Sequence, residues 1–255
     1  MKPVKEITII IATFNAEKTI ERCLRSILDQ KVEQIELILV DGKSSDNTIK
    51  IISKYISFID KIICEPDHGV YDAWNKAIQQ SNGKWVMFLG ADDYLAPDTL
   101  KLYLDTTIQI NHEKIDFVCS NVMYISETSQ PLKKIGSEFN WNIFKKTMNV
   151  AHVASLHSIN LFKQVGIYNL DYKICADYEL LMRKGEKFKS LFIPKVTAYM
   201  QTGGMSFSMN ALKEAKLIKQ KAGHRGVFIT NVEYFVQIIL YLRSKFKYEK
   251  SQSSF

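Results

Sequence analysis

Two runs of mostly apolar residues in the first half of the chain each stop, within a few residues, at acidic side chains. Glu36–Val40 is followed directly by Asp41, and Trp85–Leu89 is followed by the pair Asp92 and Asp93. Such runs are typical of strands buried on both faces of a parallel sheet. Open α/β sheets bind ligands at the edge where the carboxyl ends of parallel strands meet. The sequence therefore predicts a ligand site lined by carboxylates.

Segments of strand and helix character alternate up to Asp93, beginning with the β-branched run Ile7–Ala12. Apolar residues at helical spacing follow that run over residues 16–29, and further helices alternate with strands downstream. This alternation predicts an α/β fold whose mostly parallel sheet is flanked by helices and joined by right-handed crossovers. After a further strand at Phe117–Val122 the regularity fades.

The composition is that of a globular protein with an anionic partner. Of the 255 residues 46% are hydrophobic and 24% charged, and the net charge is +7. A basic balance favours nucleotides, phospholipid surfaces or nucleic acid without choosing among them. No stretch reaches the ~20 apolar residues of a spanning helix, and no signal peptide is expected before the first strand. No two cysteines form C-x-x-C, so we expect buried reduced thiols in a cytosolic protein.

The acidic residues at the strand ends each have two interpretations. Asp41 enters a Gly/Ser turn, where its carboxylate can accept from a base N–H or from the backbone of its own turn. Asp92 and Asp93 can hold Mg²⁺ or Mn²⁺ together with substrate phosphates, or can complement the dipole of a helix opening at Pro97 and Asp98. Adjacent aspartates do not present an acid and a base across the gap that glycoside hydrolysis needs. Neither G-x-G-x-x-G nor a P-loop is present.

Five short blocks, in order over about residues 5–200, resemble the family 2 glycosyltransferases. The blocks are Ile9-Ile-Ile-Ala-Thr-Phe-Asn15, Val40-Asp-Gly-Lys-Ser-Ser-Asp-Asn-Thr48, Glu65-Pro-Asp-His-Gly-Val-Tyr-Asp-Ala-Trp-Asn75, Phe88-Leu-Gly-Ala-Asp-Asp93 and Ala176-Asp-Tyr-Glu-Leu180. The third is similar to the bacterial surface-polysaccharide branch. The resemblance implies a GT-A fold over residues 1–205, with a Rossmann-like nucleotide-binding half (1–110) and an acceptor half (111–205). Residues 206–255 form a C-terminal helical extension in this interpretation.

The resemblance also implies a role for each matched residue. The nucleoside is expected to contact Thr13, Asn15 and Asp41. The donor pocket is expected to be lined by Glu65, Asp67, Tyr71 and Asn75. Asp93 would bind Mg²⁺ or Mn²⁺, and Asp92 the ribose or the metal. Asp177 falls where the family places its general base, which is compatible with a position at a helix N-terminus.

Two family features are missing, and both narrow the expected activity. The metal motif is often D-x-D-D, but its first position here is Gly90, so we expect metal binding by the remaining pair alone. The Q-x-x-R-W motif of processive synthases is absent, which favours addition of a single sugar. His152 and His157 flank a segment that could face the acceptor, but they lack metal-ligand spacing, so ordinary packing is favoured for both.

The resemblance therefore implies a metal-dependent, inverting, non-processive hexosyltransferase of polysaccharide biosynthesis. Its donor would be a UDP- or GDP-sugar, and its acceptor a glycan carried on polyprenyl diphosphate. One alternative is a sugar nucleotidyltransferase, which would need a Gly-rich basic loop near the first strand. Another is a non-catalytic nucleotide-binding protein on the same fold, against which the intact Asp92, Asp93 and Asp177 argue. No nucleic acid partner is expected.

The segment Val227–Leu242 is markedly apolar but is interrupted by polar residues, and residues 243–255 carry a net charge of +3. An apolar helix face beside a basic tail suits an interfacial helix on an anionic leaflet. The helix could equally pack its apolar face on the catalytic domain or in a dimer. The first interpretation predicts a cytoplasmic protein held peripherally at the inner face of the cell membrane.

Overall fold

The computed structural model describes residues 4–110 and 112–252, with side chains described as far as Arg243. Residues 1–3, which begin the predicted GT-A domain, and residues 253–255, which end the predicted C-terminal extension, lie outside this range. The side chains of the basic tail beyond Arg243 also lie outside it. The 205/206 domain boundary stays a prediction.

The first half of the chain is a parallel α/β unit. Its elements are β1 (Ile7–Thr13), α1 (Ile20–Leu28), β2 (Ile35–Asp41), α2 (Thr48–Ser53), β3 (Lys61–Cys64), α3 (Val70–Ile78) and β4 (Trp85–Gly90). Strands β3, β2, β1 and β4 lie side by side in that order, and every pairing among them is parallel. Thr13 pairs with Asp41, and Ala12 with Gly90. The predicted acidic strand ends therefore share one edge.

The second half extends the same sheet in mixed directions. Its elements are β5 (Tyr94–Leu95), α4 (Thr99–Gln109), β6 (Phe117–Ile125), β7 (Pro131–Ile135), α5 (Trp141–Phe144), β8 (Leu156–Ser158), α6 (Ile159–Val165), α7 (Ala176–Lys184), β9 (Ser190–Gln201), α8 (Met209–Lys221) and α9 (Val227–Gln252). Within the described ranges the sheet order is β3-β2-β1-β4-β8-β6-β9-β5, with β7 paired to β6. The short strands β5 and β8 were not predicted, because two or three residues give no detectable periodicity.

Strand β1 shows why the apolar run is continuous. Ile9 and Ile11 pack on one side of the sheet with Leu24 of α1. Ile10 packs on the other side with Trp74 of α3. Each such side chain contributes roughly 1.5–3 kcal/mol when fully buried, so both faces hold this strand in place. The α/β architecture predicted from the sequence is confirmed.

Two other expectations meet the structure differently. The cysteines are free, but Cys64 is exposed at the end of β3 rather than buried, because its strand lies at the edge of the sheet. No helix in the described part of the chain is long and apolar enough to cross a membrane.

Candidate active site

The turns after β1 and β2 are fastened to each other. Asp41 is fully buried, and its two carboxylate oxygens accept from the backbone N–H of Ser44 (2.8 Å) and from the Ser44 hydroxyl (2.6 Å). Asn15, at a positive φ of 47°, accepts from the backbone N–H of Ser45 (2.9 Å). Asp41 thus bonds its own turn, which is one of the two interpretations that the sequence left open. The structure brings Thr13, Asn15 and Asp41 together at one edge of the sheet, and their contact with a nucleoside stays a prediction.

The backbone at Gly42 closes a small cradle beside these turns. A Cβ on Gly42 would lie 2.5 Å from Asp67 Oδ2 and 3.3 Å from the ring of Phe14. The Phe14 ring is 63% exposed, and the hydroxyl of Thr13 is buried with no hydrogen-bond partner in the described structure. An exposed aromatic ring suits stacking with a flat heterocycle. Phe14 was missed in the sequence, where it reads as one more apolar residue of the strand.

The carboxylates after β4 converge on one point. A Cβ on Gly90 would lie 2.7 Å from Asp92 Oδ1 and 2.8 Å from Asp93 Oδ2. Asp93 is buried, and its other oxygen accepts from the backbone N–H of Gln201 (3.1 Å). Burial, and then the charge of Asp92, raise the pKa of Asp93 well above its usual range. A side chain at Gly90 would therefore compete for space with both carboxylates.

Arg22 of α1 supports this corner and was also missed in the sequence. Its guanidinium donates to the backbone oxygen of Asp92 (2.8 Å) and to Gln201 Oε1 (3.1 Å). The same group lies 4.6 Å from the ring centroid of Tyr94. Arg22 therefore ties together the aspartate turn, β5 and the end of β9.

These residues fit a divalent cation shared with a diphosphate. In the described part of the chain, no group of three or more His, Cys, Asp or Glu could hold a metal by itself. Mg²⁺ and Mn²⁺, however, are commonly held by one or two carboxylates, with substrate phosphates completing the shell. A buried carboxylate with a raised pKa beside a second carboxylate gains most from a cation. Asp92 and Asp93 are the residues that would hold it.

The substitution Gly90→Ala should weaken metal-dependent nucleotide binding by roughly tenfold or more, the scale on which groups that orient ligands affect metal affinity. The added methyl would stand within 3 Å of oxygens of both Asp92 and Asp93, so both must move. Titration of Mn²⁺ into protein with excess nucleotide measures the loss. Gly204→Ala is the matched control, because a Cβ there meets nothing within 4 Å. Equal affinities in the two variants would contradict the role given to Gly90.

Asp177 stands at the start of α7 with two hydrogen-bond donors on one oxygen. Asp177 Oδ1 accepts from the Tyr71 hydroxyl (3.0 Å) and from the backbone N–H of Tyr178 (2.8 Å). Burial raises the pKa of Asp177 to about 6, although both of these hydrogen bonds lower it. A carboxyl with a pKa near 6 is ionised at neutral pH and basic enough to take a proton.

Tyr71 connects this carboxyl to the nucleotide side of the sheet. It lies in the first turn of α3, whose N-terminal loop holds Asp67. Its hydroxyl is also 2.7 Å from the carbonyl of Ile174. The single hydroxyl proton can serve only one of these acceptors at a time. Because a charged carboxylate accepts more strongly than a carbonyl, the Tyr71 bond to Asp177 is strongest when Asp177 is ionised.

Glu214 of α8 holds the turn that precedes Asp177. Its carboxylate accepts from three successive backbone N–H groups, those of Lys173 (2.9 Å), Ile174 (2.9 Å) and Cys175 (3.0 Å). No local sequence signal identifies this contact, because its partners lie about forty residues away.

Two predicted donor-pocket residues have other partners. Both ends of the buried Asn75 amide bond the backbone of Tyr168, at 2.9 Å each. Glu65 is exposed and pairs with Lys76 (3.0 Å). Asn75 thus fixes the segment before α7, and Glu65 stands at the rim.

The histidines are packed as expected. His152 is stacked on Trp74 and Phe88 and bonds the Tyr168 hydroxyl (3.0 Å), and burial lowers its pKa to about 3. Burial also lowers the pKa of His157 well below its usual range. Both are neutral core residues.

Comparison with solved structures identifies the fold. The chain resembles the crystal structure of residues 1–349 of S. aureus TarS in complex with UDP-GlcNAc, with a TM-score of 0.66 at 18% identity, over 90% of this chain and 70% of that one. It resembles the mannosyltransferase PcManGT of Pyrobaculum calidifontis, in complex with GDP-Man and Mn2+, with a TM-score of 0.64 at 16% identity, over 90% and 69%. The fold is the GT-A glycosyltransferase fold predicted from the sequence.

Comparison of sequences gives the family. Residues 8–159 match Glycosyl transferase family 2. The chain is 31% identical over 220 residues to the PGL/p-HBAD biosynthesis glycosyltransferase of Mycobacterium tuberculosis, covering 84% of this chain and 82% of that protein. It is 24% identical to the hyaluronan synthase of Pasteurella multocida, over 90% of this chain but only 24% of the synthase. The chain belongs to glycosyl transferase family 2.

Proposed function

We propose that this glycosyltransferase moves one hexose from a UDP- or GDP-sugar to a glycan acceptor, with inversion at the anomeric carbon and with a divalent metal. The observation that carries the proposal is the presence of two separate acidic groups. Asp92 and Asp93 converge on one point at the sheet edge, and Asp177, with a pKa of about 6, stands apart from them at the start of α7. The first group suits a diphosphate with its cation, and the second suits a base.

The donor is expected to lie along the edge formed by β2, β1 and β4. The nucleobase of the donor would stack on the exposed ring of Phe14 and meet the Thr13 hydroxyl, in the cradle bounded by Gly42 and Asp67. Asp92 and Asp93 would hold Mg²⁺ or Mn²⁺, which supplies charge stabilisation for the departing nucleoside diphosphate when bound. Solved relatives of the fold bind UDP-GlcNAc, or GDP-Man with Mn2+.

The transfer needs one proton acceptor, and Asp177 is the residue proposed for it. The acceptor oxygen attacks the anomeric carbon from the face opposite the diphosphate, so the new C–O bond forms as the sugar–phosphate bond breaks. The acceptor hydroxyl gives its proton to Asp177, and the electron pair leaves with the nucleoside diphosphate. A single displacement of this kind inverts the anomeric configuration.

The acceptor proposed is a glycan on a lipid carrier, in polysaccharide biosynthesis at the cytoplasmic face of the membrane. Relatives named for PGL/p-HBAD biosynthesis and for hyaluronan synthesis support a glycan or glycolipid acceptor. The missing Q-x-x-R-W motif supports transfer of one sugar, although the hyaluronan synthase relative polymerises by name. The lengths of the products made with excess donor distinguish the two modes.

The experiment that tests the function combines a binding screen with product analysis. Each nucleotide-sugar of a panel is added with Mn²⁺, and only the true donor should raise the melting temperature of the protein, because a bound ligand stabilises the folded state by mass action. With that donor and a lipid extract, the nucleotide product should be a nucleoside diphosphate. Release of pyrophosphate would instead identify a nucleotidyltransferase, and binding without transfer would identify a non-catalytic protein.

Turnover should have an acidic limb with an apparent pKa of about 6, because the base must be ionised. Tyr71→Phe removes a hydrogen bond that favours the charged form, so the limb should move to higher pH. The measurement is kcat against pH in both proteins. Tyr55→Phe is the matched control, since it removes a similar bond to Glu21 (2.7 Å), on the α1–α2 surface. A limb unmoved by Tyr71→Phe would separate Tyr71 from the base.

A further inference from the structure

Helix α9 is attached to the protein through its polar side. Thr230 is fully buried and accepts from Gln220 Nε2 of α8 (2.7 Å). Glu233 pairs with Lys219 Nζ (3.4 Å) and forms a short ion pair with Arg225. These polar contacts join α9 to α8 and to the residues that follow it, and ring contacts of Tyr234 with Lys216 and of Tyr241 with Phe207 add to them.

The opposite side of α9 is apolar and exposed. Phe228 is 81% exposed and Phe235 65%. We call the outer face of α9 the set Phe228, Val232, Phe235, Val236, Ile239, Leu240 and Leu242. Spacings of three and four residues place these side chains on one side of a helix. A contiguous exposed apolar surface of this kind marks a protein or membrane contact in a protein that is otherwise globular.

The outer face cannot be buried by turning the helix. Lys219 is only 1% exposed, and Glu233 is its ion-pair partner. Rotation of α9 would leave this lysine buried without its partner, and breaking a buried pair in this way is strongly destabilising. In the described structure the apolar side of the helix does not pack on the catalytic domain, which leaves a second copy or a membrane as its partner.

Charge indicates which partner covers the outer face. The helix continues to Gln252, and its last turns carry Arg243, Lys245, Lys247 and Lys250 against Glu249 in the sequence. The whole chain has a net charge of +7. A second copy would bring the same positive charge to the contact, whereas an anionic lipid surface offers acyl chains to the apolar side and headgroups to the basic turns.

We propose that α9 lies in the surface of an anionic lipid leaflet, with its outer face in the acyl boundary and its polar side fastened to α8. An anionic lipid leaflet would then be a partner of the protein whether or not the sugar acceptor is lipid-linked.

The test is co-sedimentation of the full chain with vesicles of phosphatidylcholine, with and without phosphatidylglycerol. We expect binding to the anionic vesicles that weakens as salt rises. Phe235→Gln combined with Ile239→Gln should reduce the partition coefficient by roughly tenfold or more, from the apolar area withdrawn from the membrane. Ile108→Gln combined with Ile143→Gln is the matched control, because both residues are exposed on other helices, at 80% and 49%.

Melting temperature and donor binding are measured alongside. The outer-face variant should keep both, since the two side chains are exposed. Vesicle binding equal to that of wild type in this variant would overturn the proposal. It would also be overturned if the wild type ignored anionic vesicles and instead formed a dimer that the variant dissociates. Vesicle binding by a protein that binds no nucleotide-sugar would refute the proposed function and leave the docking of α9 standing.

Discussion

Replacing Asp177 by Asn should lower turnover by about 100-fold or more while leaving the affinity for the nucleotide-sugar unchanged. The size is the usual contribution of a general base. The amide keeps an oxygen that can accept from Tyr71 and from the Tyr178 N–H, so the geometry of the turn is retained. Single-turnover rates with saturating donor, together with donor titration, separate the two effects.

The same variant should be more stable than wild type at pH values above 6. The folded-state pKa of Asp177 is raised from 3.8 to about 6, so its contribution to stability is full below 3.8 and is lost as pH rises through 6. Asn removes the cost of the buried charge, and the gain should vanish at low pH. Asp171→Asn, at an exposed position before the same helix, is the control. Loss of donor binding in Asp177→Asn would assign this residue to binding instead.

Asp93→Asn should abolish the metal-dependent part of donor binding without unfolding the protein. The amide can still accept from the Gln201 N–H, as Asp93 Oδ1 does, but it supplies no charge to a cation. The fold should tolerate the change, because the carboxylate is buried beside Asp92 and its ionisation is already disfavoured. Calorimetric titration of the donor with and without Mn²⁺ measures the loss.

Asp105→Asn, on the exposed side of α4, serves as its control. Both variants should give the circular dichroism spectrum of the wild type. Donor binding by Asp93→Asn that still responds to Mn²⁺ would remove this residue from the proposed metal site.

The sequence predicted the part of the fold in which local pattern and tertiary packing agree. The β1 run is apolar on both faces because helices cover both sides, and its bounds were predicted to within one residue. Helix α1 begins at Ile20 rather than at residue 16. The N–H groups of Ala16 and Glu17 are bonded by Thr48 and Asp46 from the next turn, and a contact of that range leaves no periodic signal.

The residues of the candidate site were likewise predicted only where a local motif identifies them. The motifs singled out Asp92, Asp93 and Asp177, whose roles stay predictions. They did not reveal Arg22, whose partners lie 70 and 179 residues away. They also could not show that the Asn75 side-chain amide hydrogen-bonds the backbone of Tyr168, because a motif gives the identity of a residue and not its partner.

The three N–H bonds that Glu214 accepts have a consequence for engineering. The family match ends at residue 159, before Asp177, and the anchor of the Asp177 turn lies in α8. A chimaera that exchanges only the matched segment between family members would therefore take the proposed donor-binding residues from one parent and keep the proposed proton acceptor of the other. Shortening the chain before α8 would release the Asp177 turn from that anchor. The smallest portable unit of this enzyme consequently reaches through α8, well beyond the region that defines its family.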